Sequence, residues 1–108
     1  MDIQKQIEQL ITTHPIVLFM KGSAQFPLCG FSGKAVQILQ ACGARHFHCV
    51  DVLQDSAIRE GIKTFSNWPT IPQLYINKEF IGGSDILTEM FESGELQNLL
   101  SRSHTATA

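Results

Sequence analysis

Two strand-like segments joined by a helical one are the feature of this sequence that most constrains its fold. Residues 16–20 (IVLFM) form a continuous apolar run, and residues 46–52 (HFHCVDV) are similarly rich in strand formers. Between them, residues 30–41 carry apolar side chains at helical spacing, and Gly43 is a typical helix stop. A strand, a helix and a strand with short connections predict a βαβ unit with parallel strands and a right-handed crossover.

The rest of the chain adds helices around this unit and a hairpin beside it. Residues 2–13 have isoleucine and leucine at helical spacing, which predicts a first helix. Asp55 or Ser56 is placed to cap a short third helix. The segments QLYI and EFI flank Asn77 and Lys78, a turn pair that is weaker than Asn-Gly but still predicts a β-hairpin.

The C-terminal part predicts further helix and a short tail. Ser84 and Asp85 in GGSD are placed to cap a helix, and leucines up to Leu100 continue into a last helical turn or two. The order α-β-α-β-α-β-β-α-α predicts an α/β fold with a mixed four-stranded sheet flanked by about five helices. We expect one domain over residues 1–100 and a flexible tail over residues 101–108.

Composition and charge disfavour several classes of function. The 108 residues are the usual size of one domain, and a net charge of −2 without a block of Lys or Arg disfavours binding to nucleic acid or a membrane. The N-terminal residues lack the apolar core of a signal peptide, and no apolar run is long enough to span a bilayer. Three irregularly spaced cysteines argue against a disulfide framework and predict a reducing, cytoplasmic location.

Cys29 has the sequence context of a reactive thiol. In the predicted fold it lies after the first strand, where the second helix begins, and unpaired N–H groups and the helix dipole there favour a thiolate. Lys21 begins the same loop and adds positive potential, and Pro27 stiffens the approach to the cysteine. A lone cysteine is more often a structural core residue, but the strand–loop–helix context favours the reactive thiol.

The other cysteines offer Cys29 no internal partner. The position that carries the second thiol of a C-x-x-C motif is Ser32. Cys42 follows on the same predicted helix, about 20 Å away along its axis and beyond disulfide reach. We expect Cys42 in the core, and Cys49 on a strand that is buried on both faces.

Two chemical uses remain open for a solitary thiolate. Cys29 can attack a mixed disulfide and be released by an external thiol, or it can supply one ligand to a metal centre completed by other molecules. A metal site on the second strand is not expected, because alternation places His46 and His48 on one face and Cys49 on the other.

Three motifs in the order KGSAQFPLCGFS, NWPTIPQLYI and GGSDI resemble those of monothiol glutaredoxins of the Cys-Gly-Phe-Ser type, in their single-domain form. The resemblance runs from the first predicted helix to about Leu100. It implies a thioredoxin-like fold, a glutathione site and a [2Fe–2S] cluster held between two subunits. Such a cluster needs four thiolate-type ligands, which the resemblance assigns to Cys29 and a bound glutathione from each subunit.

The resemblance also gives a meaning to the absent second thiol. Serine at position 32 keeps Cys29 from closing an internal disulfide and so leaves it available as a metal ligand. Many family members have cysteine where this chain has Ser84, and proline where it has Ala24. Without a thiol at position 84, an oxidoreductase cycle through a bridge to that position is not available.

A glutathione site follows from the same resemblance, beginning with its cationic side chains. Lys21 is placed for the glycyl carboxylate and Arg59 is a second candidate, with Lys63 one helical turn further on. The alternative for each is an ordinary solvated surface charge. Trp68 is expected either to cover the site or to belong to the core.

The remaining glutathione contacts are expected from backbone groups. Pro72 resembles the family's cis-proline, which turns the chain so that Ile71 can pair with the tripeptide like an added strand. The N–H groups of Ser84 and Asp85 are expected to meet the γ-glutamyl carboxylate at a helix N-terminus, and the Asp85 carboxylate to pair with the ammonium. The alternatives are an ordinary turn at the proline and a simple helix cap at Asp85.

The expected function is that of an iron–sulfur cluster scaffold or carrier. Two subunits and two glutathiones would bridge a [2Fe–2S] cluster through Cys29 and pass it to apo iron–sulfur acceptor proteins, and by the resemblance a BolA-family protein can replace one subunit. The alternative is a glutathione-dependent monothiol oxidoreductase, at most a weak enzyme, that reduces protein–glutathione mixed disulfides with Cys29 as nucleophile. A third interpretation is a thioredoxin-fold interaction module with an inert cysteine.

Overall fold

The computed structural model describes the backbone of residues 2–107 and the side chains of residues 2–102. This part of the chain contains five α-helices and four β-strands. The helices are α1 (Ile3–Thr13), α2 (Gly30–Ala41), α3 (Ser56–Ser66), α4 (Ser84–Ser93) and α5 (Glu95–Thr107). The strands are β1 (Ile16–Met20), β2 (His48–Asp51), β3 (Gln73–Ile76) and β4 (Glu79–Gly82), and one 3-10 turn, Val52–Gln54, follows β2. The predicted order of elements is confirmed.

The strands form one mixed sheet in the order β2-β1-β3-β4. β2 is parallel to β1, whereas β3 is antiparallel to β1 and β4 is antiparallel to β3. All five residues of β1 are buried, because this strand has a neighbour on each side and helices on both faces. The predicted βαβ unit and mixed four-stranded sheet are therefore confirmed.

The hairpin between β3 and β4 forms at the predicted turn. Asn77 and Lys78 both have positive φ, 49° and 72°. This is the backbone that a two-residue type I′ turn requires, and it matches the right-handed twist of the two strands. The backbone N–H of Asn77 also donates to the carbonyl of Pro15 (2.8 Å), which ties the turn to the start of β1.

Two apolar clusters, one on each face of the sheet, hold the helices. Ile7 and Ile62 from α1 and α3 pack with Tyr75 of β3 in one cluster. Leu39 and Leu87 from α2 and α4 belong to the other, together with leucines of α5. Each such fully buried side chain stabilises the fold by about 1.5–3 kcal/mol relative to an exposed one. The clusters fix the helices so that the loop before α2 lies at the carboxyl end of β1.

The structure corrects one expectation about the second strand. β2 is an edge strand whose four residues are all half-buried, so the prediction that Cys49 lies on a strand buried on both faces is wrong. A strand at the edge of a sheet has a neighbour on only one side and remains partly accessible. Cys49 nevertheless packs against the apolar cluster of α2, as expected.

The beginning of α4 and the end of α5 also differ from the sequence interpretation. Gly83 is the residue that precedes α4, and no side chain makes a capping hydrogen bond there, so the prediction that Ser84 or Asp85 caps this helix is wrong. α5 continues to Thr107, beyond the helical turns predicted around Leu100. The domain boundary at residue 100 and the flexibility of the tail stay predictions. Over the described residues, no helix combines the length and apolar composition that crossing a membrane requires.

Candidate thiol site

Cys29 lies at the N-terminus of α2, at the predicted position. It is the residue that precedes the helix, with an extended backbone (φ −149°, ψ 137°), and its side chain is partly exposed. Because β1 ends at Met20, the loop of residues 21–28 connects the sheet to this cysteine. We refer to residues 21–28 as the thiol loop. Both attack on a mixed disulfide and metal ligation require a solvent-accessible sulfur of this kind.

The surroundings of Cys29 lower the pKa of its thiol. The main cause is the backbone N–H of Ser32 in the first turn of α2, and the N–H of Phe31 acts in the same sense. The positive charge of Lys21 and the hydroxyl of Ser32 lower the pKa further, and slight burial opposes them. Nothing ties the sulfur into a disulfide. The predicted contribution of the helix start and of Lys21 to a thiolate is confirmed in direction.

Ser32 also anchors the start of the thiol loop, a role that the sequence did not indicate. It is fully buried, and its Oγ accepts a hydrogen bond from the backbone N–H of Lys21 (3.0 Å). The adjacent N–H of Gly22 donates to Oδ1 of Asp51 at the end of β2 (2.9 Å). The base of the thiol loop is therefore held by one side chain from α2 and one from β2. No local pattern could have indicated this, because the partners lie 11 and 29 residues apart.

The thiol loop folds back on itself through Gly22. Its backbone has φ +90°, and a Cβ at this position would lie 2.5 Å from the carbonyl oxygen of Phe26. Gly22 also bridges to Pro27, and the N–H of Leu28 donates to the carbonyl of Lys21 (2.9 Å). Glycine is needed here both for the positive φ and for the close approach of the two arms.

Three large apolar residues close to Cys29 in sequence are exposed on the surface. Phe26, Leu28 and Phe31 are 74%, 67% and 62% exposed, although soluble chains usually bury residues of this size. They lie within three residues of Cys29 along the chain. A group of large exposed apolar residues marks a surface on which another molecule can settle.

Three cationic side chains line a cavity of about 180 Å³ beside the loop that precedes β3. Lys21, Arg59 and Lys63 form its charged wall, and Thr70 and Ile71 belong to its other wall. Nε of Arg59 is buried and has no hydrogen-bond partner among the described residues. Lys63 forms an ion pair with Glu60 (3.4 Å) and so has part of its charge offset within the chain. Lys21, Arg59 and Ile71 thus line one cavity, and their role in binding glutathione stays a prediction.

The loop between α3 and β3 brings a second group of predicted residues together. The Ile71–Pro72 peptide bond is cis, as expected. A Cβ on Gly83 would lie 3.3 Å from the carbonyl oxygen of Pro72 and 3.5 Å from Nε1 of Trp68. The start of α4 therefore lies against this loop, and its first backbone N–H groups have no side-chain cap.

Ser84 and Asp85 follow Gly83 directly, and Asp85 is exposed. Among the described residues, no ion pair joins Asp85 to Lys21 or Arg59. The two groups of predicted residues lie on either side of the Trp68–Pro72 loop. Trp68 itself is 40% exposed and packs against Phe80, with ring centroids 6.0 Å apart.

Gln73 is a functional candidate that the sequence interpretation missed. It is fully buried, and its Nε2 donates to the carbonyl oxygens of Trp68 and Thr70 (3.1 Å each). One buried amide thus fixes the loop that carries Thr70 and Ile71 into the cationic cavity. Its only sequence signal is a polar residue at the start of a strand whose four residues are all buried.

The two other cysteines are half-buried and lie apart from the thiol site. Both Cys42 and Cys49 pack against the apolar cluster of α2, and burial raises the pKa of each thiol. A raised pKa disfavours the thiolate that metal binding and nucleophilic attack require. Among the described residues, no group of three or more His, Cys, Asp or Glu side chains is arranged to hold a metal ion.

The fold and the site together define a class of protein. A four-stranded mixed sheet with this helix order is thioredoxin-like, and it presents a thiol at the start of the helix after β1, with a cis-proline before β3. The glutaredoxin family model matches residues 16–81. The solution structure of reduced poplar apo GrxS14 superposes with a TM-score of 0.82 at 45% identity, covering 95% of this chain and 94% of that one.

Relatives of known sequence narrow the class further. An uncharacterised monothiol glutaredoxin of Synechocystis sp., described as ycf64-like, is 52% identical over 99 residues, which is 92% of each chain. Monothiol glutaredoxin-5, mitochondrial, of Saccharomyces cerevisiae is 54% identical over 101 residues, or 92% of this chain and 67% of the relative. The chain therefore belongs to the glutaredoxin family, and its similarity is to the monothiol glutaredoxins.

Proposed function

We propose that this protein is an iron–sulfur cluster scaffold or carrier. Two copies bridge one [2Fe–2S] cluster as cargo, and Cys29 of each copy supplies one ligand. One glutathione bound to each copy supplies the other two thiolates, which completes the four ligands that such a cluster requires. The cluster then passes to apo iron–sulfur acceptor proteins.

The observation that carries the proposal is the state of Cys29. Its sulfur is partly exposed, and backbone N–H groups lower the pKa of its thiol, so the side chain is prepared to act as a thiolate ligand. Serine at position 32 supplies a hydroxyl that lowers this pKa and has no thiol that could oxidise with it. One accessible thiolate per chain supports ligation shared between chains.

The cationic cavity supports a glutathione site beside this thiolate. Arg59 has a buried Nε without a partner among the described residues, and Lys21 and Lys63 add charge, which suits the glycyl carboxylate of glutathione. At about 180 Å³ the cavity is small for a whole tripeptide and suits one end of it. The middle of the tripeptide then pairs with the backbone of Ile71, next to the cis-proline at Pro72.

The other end of glutathione is assigned to the start of α4. The first backbone N–H groups of this helix, at Ser84 and Asp85, have no side-chain cap and suit the γ-glutamyl carboxylate. The exposed Asp85 carboxylate suits the ammonium group. Gly83 lies against Pro72, so the two ends of an extended tripeptide can be bound on either side of the same loop.

Reconstitution tests this proposal. The protein is incubated anaerobically with iron, sulfide and glutathione, and visible absorption, solution mass and bound glutathione are measured for wild type, Cys29→Ala and Cys42→Ala. Wild type and Cys42→Ala, whose thiol packs against the core, should form a coloured dimer with two glutathiones, and Cys29→Ala should stay a colourless monomer. Colour that survives in Cys29→Ala would overturn the assignment.

The lowered pKa of Cys29 also favours a second function, glutathione-dependent reduction of protein–glutathione mixed disulfides. The Cys29 thiolate would attack the glutathione sulfur, release the protein thiol and become glutathionylated, and free glutathione would then restore the thiol as glutathione disulfide leaves. Fast turnover of a glutathionylated peptide by a protein that stays a colourless monomer would favour this activity over the carrier. Slow turnover by a protein that forms the coloured dimer would favour the carrier.

Partners and location are also part of the proposal. The exposed apolar residues around Cys29 suit contact with a second copy, with acceptor proteins or with a BolA-family protein in place of one copy. A cytoplasmic location stays a proposal, and one relative named above is mitochondrial by its name. Co-purification with an affinity-tagged BolA-family protein, in the presence and absence of cluster, tests the mixed complex.

A further inference from the structure

A second cavity, of about 500 Å³, lies where the turn after α1, the end of α2 and the start of β2 meet. It shares no lining residue with the cationic cavity. It also shares none with the groove at Cys29, which is lined by Pro27, Leu28, Gly30, Gly33, Lys34 and Gln37 as well as Cys29 itself. Its volume is within the range of about 300–1,000 Å³ that is typical of small-molecule sites. We refer to it as the histidine cavity, because His14, His46 and His48 line it together with Arg45.

The wall of the histidine cavity has basic side chains and no acidic ones. His14 comes from the end of α1, Arg45 and His46 come from the connection between α2 and β2, and His48 is the first residue of β2. The remaining lining residues, from β1, the thiol loop, α2 and the two connections, are not titratable: Pro15, Ile16, Ala24, Gln25, Gln40 and Phe47. Among the described residues that form this wall, no carboxylate offsets the positive charge of Arg45.

Two of the histidines are held face to face. The rings of His14 and His48 have centroids 3.9 Å apart and planes within 7° of parallel. Rings so close cannot both be protonated at low cost, because the two positive charges repel each other. In line with this, burial and the charge of His14 lower the pKa of His48. A bound anion would remove the repulsion, so anion binding and proton uptake by this pair are coupled.

We propose that the histidine cavity binds the phosphate group of a small organic phosphate, with Arg45 and the His14–His48 pair as its ligands. Arg45 offers a guanidinium fork that fits phosphate oxygens, and the paired rings offer N–H donors once they are protonated. The second pKa of a phosphate ester is about 6, close to that of histidine at about 6.5. The cavity is larger than inorganic phosphate, and Phe47 and Pro15 offer apolar contact to an organic group.

Proton uptake predicts the direction of the pH effect. Because the anion favours the protonated rings, its binding raises the pKa of His48, and affinity rises as the pH falls from about 7.5 to about 6. The histidine cavity and the groove at Cys29 share no lining residue, so phosphate binding and cluster binding can be measured separately. Failure of the phosphate site would leave the proposed function intact, and the converse also holds.

The test is an NMR titration of the histidine ring signals with inorganic phosphate and with phenyl phosphate. We expect saturable shifts of the His14 and His48 rings, tighter binding of phenyl phosphate, and about tenfold tighter binding at about pH 6 than at about pH 7.5. Phenylacetate is the carboxylate comparison and should bind more weakly than phenyl phosphate. Equal binding of the two would overturn the assignment to phosphate.

Two arginine variants distinguish the site from general charge. Arg45→Gln should weaken phenyl phosphate binding by about tenfold, because one charge-assisted contact is lost. Arg102→Gln removes an exposed arginine of α5 and should leave binding unchanged. The proposal fails if Arg45→Gln binds as wild type does, or if the His14 and His48 signals follow pH alone and do not respond to either phosphate.

Discussion

Cys29 acquires its chemistry from its immediate neighbours rather than from a partner thiol. The backbone N–H groups of Ser32 and Phe31 act on the sulfur because the chain enters α2 directly after Cys29, and this could be anticipated from the helix pattern. The part of Ser32 in holding the N–H of Lys21 could not be anticipated, because it depends on how β1 and α2 pack. Ser32 thus both lowers the pKa of Cys29 and holds the start of the thiol loop.

Ser32→Ala should raise the pKa of Cys29 and destabilise the fold. The substitution removes the hydroxyl that favours the thiolate and leaves the part-buried N–H of Lys21 without its acceptor, at a cost of about 1–3 kcal/mol. The pH profile of iodoacetamide alkylation at Cys29 gives the pKa, and urea unfolding gives the stability. Ser93→Ala, an exposed serine of α4, is the matched control. An unchanged alkylation profile in Ser32→Ala would contradict the prediction.

Arg59 and Lys63 should differ in their effect on glutathione binding. Arg59→Gln should weaken it by about tenfold, because a charge-assisted hydrogen bond is worth about 1.5–3 kcal/mol. Lys63→Gln should weaken it less, because Glu60 already offsets part of that charge. Calorimetric titration with glutathione, using each variant in turn, checks the order. A larger loss from Lys63→Gln than from Arg59→Gln would show that the carboxylate is bound elsewhere.

Loops, rather than helices and strands, form most of the contacts of the site. Turn chemistry is local, so the hairpin at Asn77 and Lys78 was predictable from the two residues themselves. The clamp from Gln73 was not predictable, because an amide in a buried strand gives no sign of which carbonyls it will reach. The edge position of β2 was also missed, since strand order depends on where the β3–β4 hairpin pairs.

Gly22→Ala should distort the thiol loop. The new Cβ would meet the carbonyl of Phe26 at 2.5 Å, on a backbone with φ +90°, so we expect a loss of about 1–3 kcal/mol in unfolding free energy. Gly30→Ala is the matched control, because a Cβ there has no heavy atom within 4 Å. Urea denaturation of both variants measures the difference. Equal stability of the two would mean that the loop accepts a side chain at Gly22 by moving.

Gln73→Met should loosen the Trp68–Pro72 loop. Methionine has a similar length, but it leaves the carbonyls of Trp68 and Thr70 without their donor, and we expect stability to fall by about 2 kcal/mol. Hydrogen–deuterium exchange should become faster in this loop, and glutathione affinity should fall with it. If exchange is faster but glutathione affinity is unchanged, the loop does not shape the glutathione site.

At the scale of the whole molecule, chemistry is concentrated where chain segments from opposite sides of the sheet meet. The thiol loop links β1 to α2 and is anchored to β2, and the cationic cavity joins this loop to α3. The overall α/β order was predictable because it follows from periodicity along the chain. The histidine cavity could not be predicted, because it depends on the end of α1 lying beside β2 in the folded chain. The stacking of His14 on His48 shows that these two elements are in contact there.

His48 should make the stability of the whole fold depend on pH. Its pKa is lowered in the folded state, so its contribution is present above the unfolded value of about 6.5 and is lost as the pH falls through the lowered folded value. His48→Gln should therefore lose less stability than wild type between about pH 7.5 and about pH 5.5. Urea unfolding at both pH values measures the change in unfolding free energy. If this change is as large in His48→Gln as in wild type, the prediction is wrong.

The two side-chain anchors at the base of the thiol loop separate reactivity from recognition. Ser32 and Asp51 fix Lys21 and Gly22, whereas Phe26 and Leu28 project from the tip into solvent. Substitutions of Phe26 or Leu28 should therefore change the exposed apolar surface and leave the pKa of Cys29 largely unchanged. If the proposed function holds, the sequence of this contact surface can vary while the chemistry of the thiol is retained.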